Sequence, residues 1–64
     1  MKILSGKEFC RLLEEHGWIL KRVNGSHRIY MKSGRVERIS VPVHANKPLK
    51  KGLLHALLKV AQIE

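Results

Sequence analysis

Apolar residues first recur at helical spacing, at Phe9 and Leu13, and this pattern ends near residue 17. Ser5 and Glu8 stand three residues apart just before it, which is the arrangement of a capping box at a helix N-terminus. Gly17 occupies the position at which a glycine commonly ends a helix. The sequence therefore predicts a first helix over about residues 5 to 16.

The spacing then changes to strand-like runs on either side of Asn24-Gly25. This dipeptide is the strongest signal for a two-residue hairpin, because both positions of a type I′ turn require positive φ. Pairing across that turn places Arg22 opposite His27, on the face that carries most of the large apolar residues. We therefore expect His27 on the helix-covered side of the sheet and Arg28 on the solvent-exposed, basic side.

A second turn is predicted around Gly34. A three-residue loop there pairs Ile39 with Ile29, whereas a two-residue loop pairs Arg38 with Ile29. Since a slip of one residue moves every side chain to the other face, the apolar pattern favours the three-residue loop. The third strand is then expected over about residues 36 to 42.

The last apolar run returns to helical spacing and predicts a second helix that ends near Ala61. Asn46 or Lys47 is its expected N-cap, and Pro48 would lie in its first turn, where a missing amide costs nothing. Gly52 inside the helix suggests close packing or, as the alternative, close approach of a ligand. The helix has a wide apolar stripe, made of Leu49, Leu53, Leu57 and Val60 and flanked by Leu54, Leu58 and Ala61.

The elements follow one another as α-β-β-β-α. We predict an α+β fold in which two helices cover one face of a three-stranded antiparallel sheet, as a single domain over residues 1–64. This is the layout of the double-stranded RNA-binding domain. Fold alone does not give function, which has to be argued from particular residues.

Charge is spread unevenly along the chain, whose formal net charge is +8. Residues 18 to 52 carry nine of the 13 Lys and Arg residues against one acid, Glu37. A basic surface of this kind on a small domain favours a polyanionic partner, because each phosphate contact releases counterions. The single Cys10 excludes an intrachain disulfide, and no apolar stretch reaches the roughly 18 residues of a membrane span. We expect a cytoplasmic protein with no membrane association.

The residue types also limit the chemistry. Paired carboxylates, a nucleophile motif and a glycine-rich phosphate loop are all missing from the sequence, and its four histidines lack a metal-binding spacing. We therefore expect no metal and no cofactor. RNA cleavage remains possible without either, because the substrate supplies its own 2′-hydroxyl and needs only a general base, an acid and cations.

His27 is the best candidate for the acid-base residue, because it follows a tight turn inside the basic region. Partial burial and a neighbouring Arg22 would both favour its neutral form. The alternative is a half-buried strand histidine bonded to backbone. His44 is expected at the same end of the sheet, either as a second acid or base or as a residue that satisfies its loop. The expected phosphate contacts are Arg22, Arg28, Lys47, Lys50 and Lys51.

Several segments together resemble the HicA toxins of prokaryotic HicAB toxin-antitoxin systems. Besides the capped first helix they are Gly25-Ser26-His27, the run from Ile39 to His44, and the run from Lys50 to Leu54. The resemblance covers almost the whole chain and implies an RNA-binding-like fold, mRNA cleavage that halts translation, and neutralisation by a HicB antitoxin. It also implies that His27 is the catalytic histidine, preceded by Gly25 and Ser26 of the family's motif. Many relatives carry another polar or aromatic residue after the histidine, where this chain has Arg28, an additional phosphate contact.

Two other functions are compatible with the residues. The same fold and charge suit a non-catalytic RNA-binding module, since no second catalytic residue is evident. The basic face could instead serve only to bind an acidic protein partner. Cleavage of RNA, binding of RNA without cleavage, and binding of a protein alone would distinguish the three.

Overall fold

The computed structural model describes residues 3–45 and 47–63. Its elements are α1 (Gly6–Glu15), β1 (Ile19–Asn24), β2 (His27–Met31), β3 (Arg38–Pro42) and α2 (Lys51–Ala61). The strands form an antiparallel sheet in the order β1-β2-β3, and buried residues of both helices join one core with buried residues of the sheet. The predicted α+β class and the α-β-β-β-α order are confirmed.

The first helix begins with the predicted capping box. The Glu8 amide donates to Ser5 Oγ at 3.2 Å, and the Ser5 amide donates to Glu8 Oε1 at 2.9 Å. The helix ends at its C-cap residue, His16, and Gly17 follows with φ +90°. The core residues of α1 are Phe9, Cys10 and Leu13. Two reciprocal hydrogen bonds and a glycine therefore set the bounds of α1, as the sequence predicts.

The β1–β2 hairpin differs from the prediction, because its turn lies one residue later and the pairing next to the turn is shifted by two residues. His27 pairs with Asn24, and the two turn residues are Gly25 and Ser26. Only Gly25 has positive φ, at 62°, which is the pattern of a type II′ turn. A bulge between Leu20 and Arg22 accommodates the shift further along the ladder. The predicted type I′ turn at Asn24-Gly25 and the pairing of Arg22 with His27 are therefore wrong.

Tyr30 explains which face of β2 packs against the helices. Its ring is fully buried, and its hydroxyl donates to Glu14 Oε2 of α1 at 2.9 Å. Burying an aromatic side chain whose polar end still finds a partner stabilises the fold more than burying Ile29 in the same place. Tyr30 is therefore on the helix side of the sheet, paired with the buried Ile39, and the expected pairing of Ile29 with Ile39 is wrong.

The two faces of the sheet follow from this pairing. The helix face carries Leu20, Val23, Arg28, Tyr30, Ile39 and Val41, and the open face carries Ile19, Arg22, Asn24, His27, Ile29, Met31, Arg38, Ser40 and Pro42. Two predictions are corrected here: His27 lies on the open face and not under the helices, and Arg28 lies on the helix face.

An arginine organises the connection between β2 and β3. Arg35 donates to the Val60 carbonyl and to Gln62 Oε1, each at 3.0 Å, and its guanidinium lies 5.7 Å from the centre of the Trp18 ring. It also bonds Glu37 at 2.9 Å. These contacts fasten the connection to the end of α2, so β3 begins at Arg38 and the predicted three-residue loop is too short.

The second helix begins later than predicted, at Lys51, with Lys50 as its N-cap. Pro48 forms an isolated bridge with Ser5, and the Leu49 amide donates to the Leu4 carbonyl at 2.7 Å. This pairing keeps the backbone extended, so Lys47 is not the N-cap and Pro48 is not in the first turn. The alternative cap, Asn46, lies outside the described residues.

The glycine inside α2 is not required by packing. A Cβ on Gly52 would meet no atom within 4 Å, so the expectation of close packing there is wrong. Close approach of a ligand stays a prediction. Within residues 3–45 and 47–63, no helix has the length and apolar character needed to cross a membrane.

Candidate nucleic-acid interface

The turn between β1 and β2 lies beside the end of β3. His27 pairs with Pro42, and the Val43 amide donates to the Ser26 carbonyl at 2.7 Å. We call this region, residues 25–27 together with 42–44, the hairpin end of the sheet. The predicted proximity of the start of the second strand and the end of the third is confirmed.

The first turn of α1 packs directly against the hairpin end. A Cβ on Gly6 would overlap the Pro42 carbonyl oxygen and would lie 3.0 Å from Val43 Cα. No side chain larger than hydrogen fits there, so the start of α1 supports the strand end that pairs with His27. The glycine in the capping box is the one sign of this contact in the sequence.

His27 is exposed at the first position of β2. Asn24 lies across from it on one side and Pro42 on the other. The expected partial burial is wrong. Arg22 nevertheless remains a neighbour, because it pairs with Ile29 and so lies diagonal to His27 on the open face, where such neighbours are separated by about 7 to 8 Å. Both His27 and Arg22 are therefore accessible from solvent.

His44 lies at the same end of the molecule, as predicted from the chain order. It is exposed, two residues beyond Pro42, and its carbonyl accepts from the Lys47 amide at 3.0 Å. Ala45 next to it adopts positive φ, at 52°, so the chain turns sharply there. The imidazole of His44 makes no hydrogen bond to the described residues.

The three predicted lysines lie on or next to the start of α2. Lys47, Lys50 and Lys51 are all exposed. The bonds from residues 48 and 49 to residues 5 and 4 hold this segment against the N-terminal end of α1. Since α1 also begins at the hairpin end, the two helix starts and the hairpin end form one side of the molecule.

Arg28 takes part in a different surface. It lines a groove of about 630 Å³ on the helix side, together with Ser5, Lys7, Glu8, Cys10, Arg11 and Glu14. Both acids in the groove have partners: Glu8 closes the capping box and Glu14 accepts from Tyr30. The Ser5 amide and hydroxyl hold the pKa of Glu8 below its usual range. Arg28 is therefore separated by the sheet from the face that carries His27.

Arg38 is a cation of the open face that is not among the expected phosphate contacts. It is exposed on the open face, where it pairs with Met31, and Ser40 follows opposite Ile29. The signal for it is the alternation along β3, because Ile39 and Val41 are buried and Arg38 therefore lies on the opposite face. None of the residues on the open face is acidic. In the described part of the chain the ion pair found joins Arg35 and Glu37, so neither Arg22 nor Arg38 has a carboxylate partner there.

The arrangement can bind a polyanion and move a proton. Within the described ranges, no three His, Cys, Asp or Glu side chains are grouped so that they could hold a metal ion. An exposed imidazole with cations around it can act as a general base or acid toward a phosphodiester without one.

Comparison with known proteins decides the family. A family model described as "HicA toxin of bacterial toxin-antitoxin" matches residues 6–63, which include every helix and strand. The chain belongs to this toxin family. Its role is that of the toxin in a toxin-antitoxin system, and the family implies an antitoxin partner. A search of curated proteins finds no match. The predicted resemblance to HicA toxins is confirmed.

Proposed function

We propose that this toxin is a metal-independent endoribonuclease that cleaves mRNA and thereby inhibits translation, with His27 as its acid-base residue. The observation that carries the proposal is the exposed His27 at the hairpin end of a face that has cations and no acid. Gly25 and Ser26 hold it there, because Gly25 supplies the positive φ and the Ser26 carbonyl bonds the Val43 amide.

The reaction needs no nucleophile from the protein. His27 accepts the proton of a substrate 2′-hydroxyl, and the 2′-oxygen attacks the adjacent phosphorus. The bond from phosphorus to the 5′-oxygen breaks, and that oxygen takes up a proton from an acid at the site. The products are a 2′,3′-cyclic phosphate and a 5′-hydroxyl. Such proton transfer contributes typically about 10² to 10⁴-fold to the rate.

Cations around the hairpin end stabilise the charge of the phosphorane. Arg22 lies on the same face as His27, and Lys47, Lys50 and Lys51 are exposed on the adjoining side. His44, also at the hairpin end, is a candidate for the proton donor to the leaving 5′-oxygen. Arg28 remains a candidate phosphate contact only for RNA that reaches the helix-side groove.

We further propose that a HicB-type antitoxin neutralises the toxin by covering this surface in the cytoplasm. An acidic or mixed partner suits a face that carries arginines without an acid, because complementary charge speeds association.

Expression in cells tests the proposal. Wild type and His55→Ala should arrest growth, whereas His27→Ala should not, because only His27 lies at the proposed site and His55 is an exposed histidine of α2. Co-expression of a HicB-type antitoxin that neutralises this toxin should restore growth of the wild type. Immunoblotting would establish equal protein levels. Growth arrest by His27→Ala as strong as that of wild type would end the proposal.

A second candidate function is RNA binding without cleavage. It is favoured by one observation: within residues 3–45 and 47–63, no side chain is hydrogen-bonded to His27 to orient it as a base. RNA that stays intact during long incubation with folded, tightly binding wild-type protein would support this function over catalysis.

A further inference from the structure

The open face of the sheet carries a row of apolar side chains bordered by cations. Ile29, Met31 and Pro42 are half-buried on it, and Ile19 is more than half exposed. Arg22 borders the row on β1 and Arg38 borders it on β3. Both helices pack on the other side of the sheet, so within the described chain nothing covers this surface.

We infer that a single strand of RNA lies along the open face, with its bases against Ile29 and Met31 and its phosphates at Arg22 and Arg38. The inference rests on the proposed function, since it names the substrate class and path of that same site. His27 stands at the end of this path, on the same strand and the same face as Ile29 and Met31.

Charge complementarity favours a nucleic acid on the open face. Arg22 and Arg38 are exposed and have no carboxylate partner among the described residues, and the face itself carries no acid. The helix-side groove is different, because Glu8 and Glu14 offset its three cations. The electrostatic attraction for a polyanion is therefore stronger at the open face than at the helix-side groove.

The apolar row favours unpaired bases. A duplex presents its phosphates and sugars to a protein and keeps its base faces stacked inside, whereas a single strand can lay its bases on a flat surface. Aliphatic side chains contact every base in a similar way. The open face should thus bind single strands with little sequence preference, and a duplex should leave Ile29 and Met31 without a partner.

The proposed chemistry requires the same kind of substrate. Attack by the 2′-oxygen needs that oxygen, the phosphorus and the leaving 5′-oxygen nearly in line, and the A-form helix holds them away from this arrangement. A flexible single strand can reach it with little cost. A strand that follows the open face to its hairpin end brings a phosphate to the exposed His27.

Binding assays on catalytically disabled protein test the inference. In a His27→Ala background, a labelled 12-nucleotide single strand should bind at least tenfold more tightly than a duplex of the same length. Arg38→Gln should weaken single-strand binding several-fold and should reduce the slope of log K against log salt by about 0.7, because one phosphate contact of a single strand is lost. Arg11→Gln on α1 is the matched control and should leave both values unchanged.

A second variant distinguishes loss of RNA binding from loss of folded structure. Ser40 is exposed in the middle of the open face, so Ser40→Glu places a negative charge beside Ile29 without filling the core. It should reduce single-strand binding at least tenfold while the thermal unfolding midpoint stays within a few degrees of the parent protein.

The outcomes separate this inference from the proposed function. If wild type cuts RNA through His27 but Arg38→Gln and Ser40→Glu bind single strands like their parent, the inference is wrong and the catalysis stands. Preference for duplex, or a larger loss in Arg11→Gln than in Arg38→Gln, would likewise overturn it. Loss of antitoxin binding alone in these variants would mark the face as a protein-docking surface. If instead the variants behave as expected while wild type leaves RNA intact, only the catalysis fails.

Discussion

His27 owes its position to the two residues before it. Gly25 takes φ +62°, a conformation that L side chains avoid, and the Ser26 carbonyl accepts the Val43 amide at 2.7 Å. The turn is therefore tied to the connection after β3. An imidazole placed by backbone geometry alone needs no packing around it, which is consistent with its exposure.

Replacement of this glycine should reduce both stability and activity. Gly25→Ala forces a Cβ into the left-handed region, which costs about 1 kcal/mol and should lower the melting temperature by roughly 4 to 8 °C. Gly52→Ala is the matched control, because Gly52 has no positive φ and a Cβ there meets no atom within 4 Å. The control should raise stability by roughly 0.5 kcal/mol. Equal melting temperatures for the two variants would contradict the role of Gly25.

The hairpin shows how far sequence reasoning reaches at the level of elements. The capping box and Gly17 define α1 correctly because their signals are local. The strands are predicted in the right order, but the two faces of β2 are exchanged, since apolar alternation alone does not reveal that Tyr30 finds a hydrogen-bond partner in Glu14. The third strand keeps its predicted inner face, with Ile39 buried. The late start of α2 depends on pairing between Pro48 and Ser5, which are distant in sequence and carry no local signal.

The hydroxyl of Tyr30 connects β2 to α1 by a hydrogen bond, and its removal should lower the stability of the fold. Tyr30→Phe loses the hydrogen bond to Glu14 and should cost about 1 kcal/mol near pH 7. Burial, followed by hydrogen bonds to Cys10 and Glu14, raises the pKa of the Tyr30 hydroxyl above its usual range. Its contribution is therefore fully present below the unfolded pKa of about 10 and is lost as the pH rises further.

Chemical denaturation across pH measures this effect. The free energies of unfolding of wild type and Tyr30→Phe should differ at pH 7 and converge above about pH 10, because only the wild type releases this proton on unfolding. If the difference in the free energy of unfolding between the two proteins stays constant across that pH range, the pKa of Tyr30 is not raised by folding.

At the scale of the whole molecule, charge and chain order predict which residues come together at the candidate site, but they do not predict on which face of the sheet these residues lie. The basic middle of the sequence does form a surface around the hairpin end, and chain order alone brings His27 and His44 to one end of the sheet. The sequence does not reveal which face that surface lies on. Arg28, expected on the solvent-exposed side, lies on the helix face for that reason, whereas Arg38 lies on the open face.

We propose that His27 moves the proton in RNA cleavage. The most direct test is the cleavage rate of a single-stranded RNA in excess EDTA, compared between wild type, His27→Ala and His44→Ala. We predict that wild type cuts under these conditions and leaves 5′-hydroxyl ends. His27→Ala should be slower by about 10²-fold or more, with an unchanged unfolding midpoint, whereas His44→Ala should lose activity only to the extent that His44 is the proton donor. Undiminished cleavage by His27→Ala, or cleavage by wild type that requires a metal, would contradict the account.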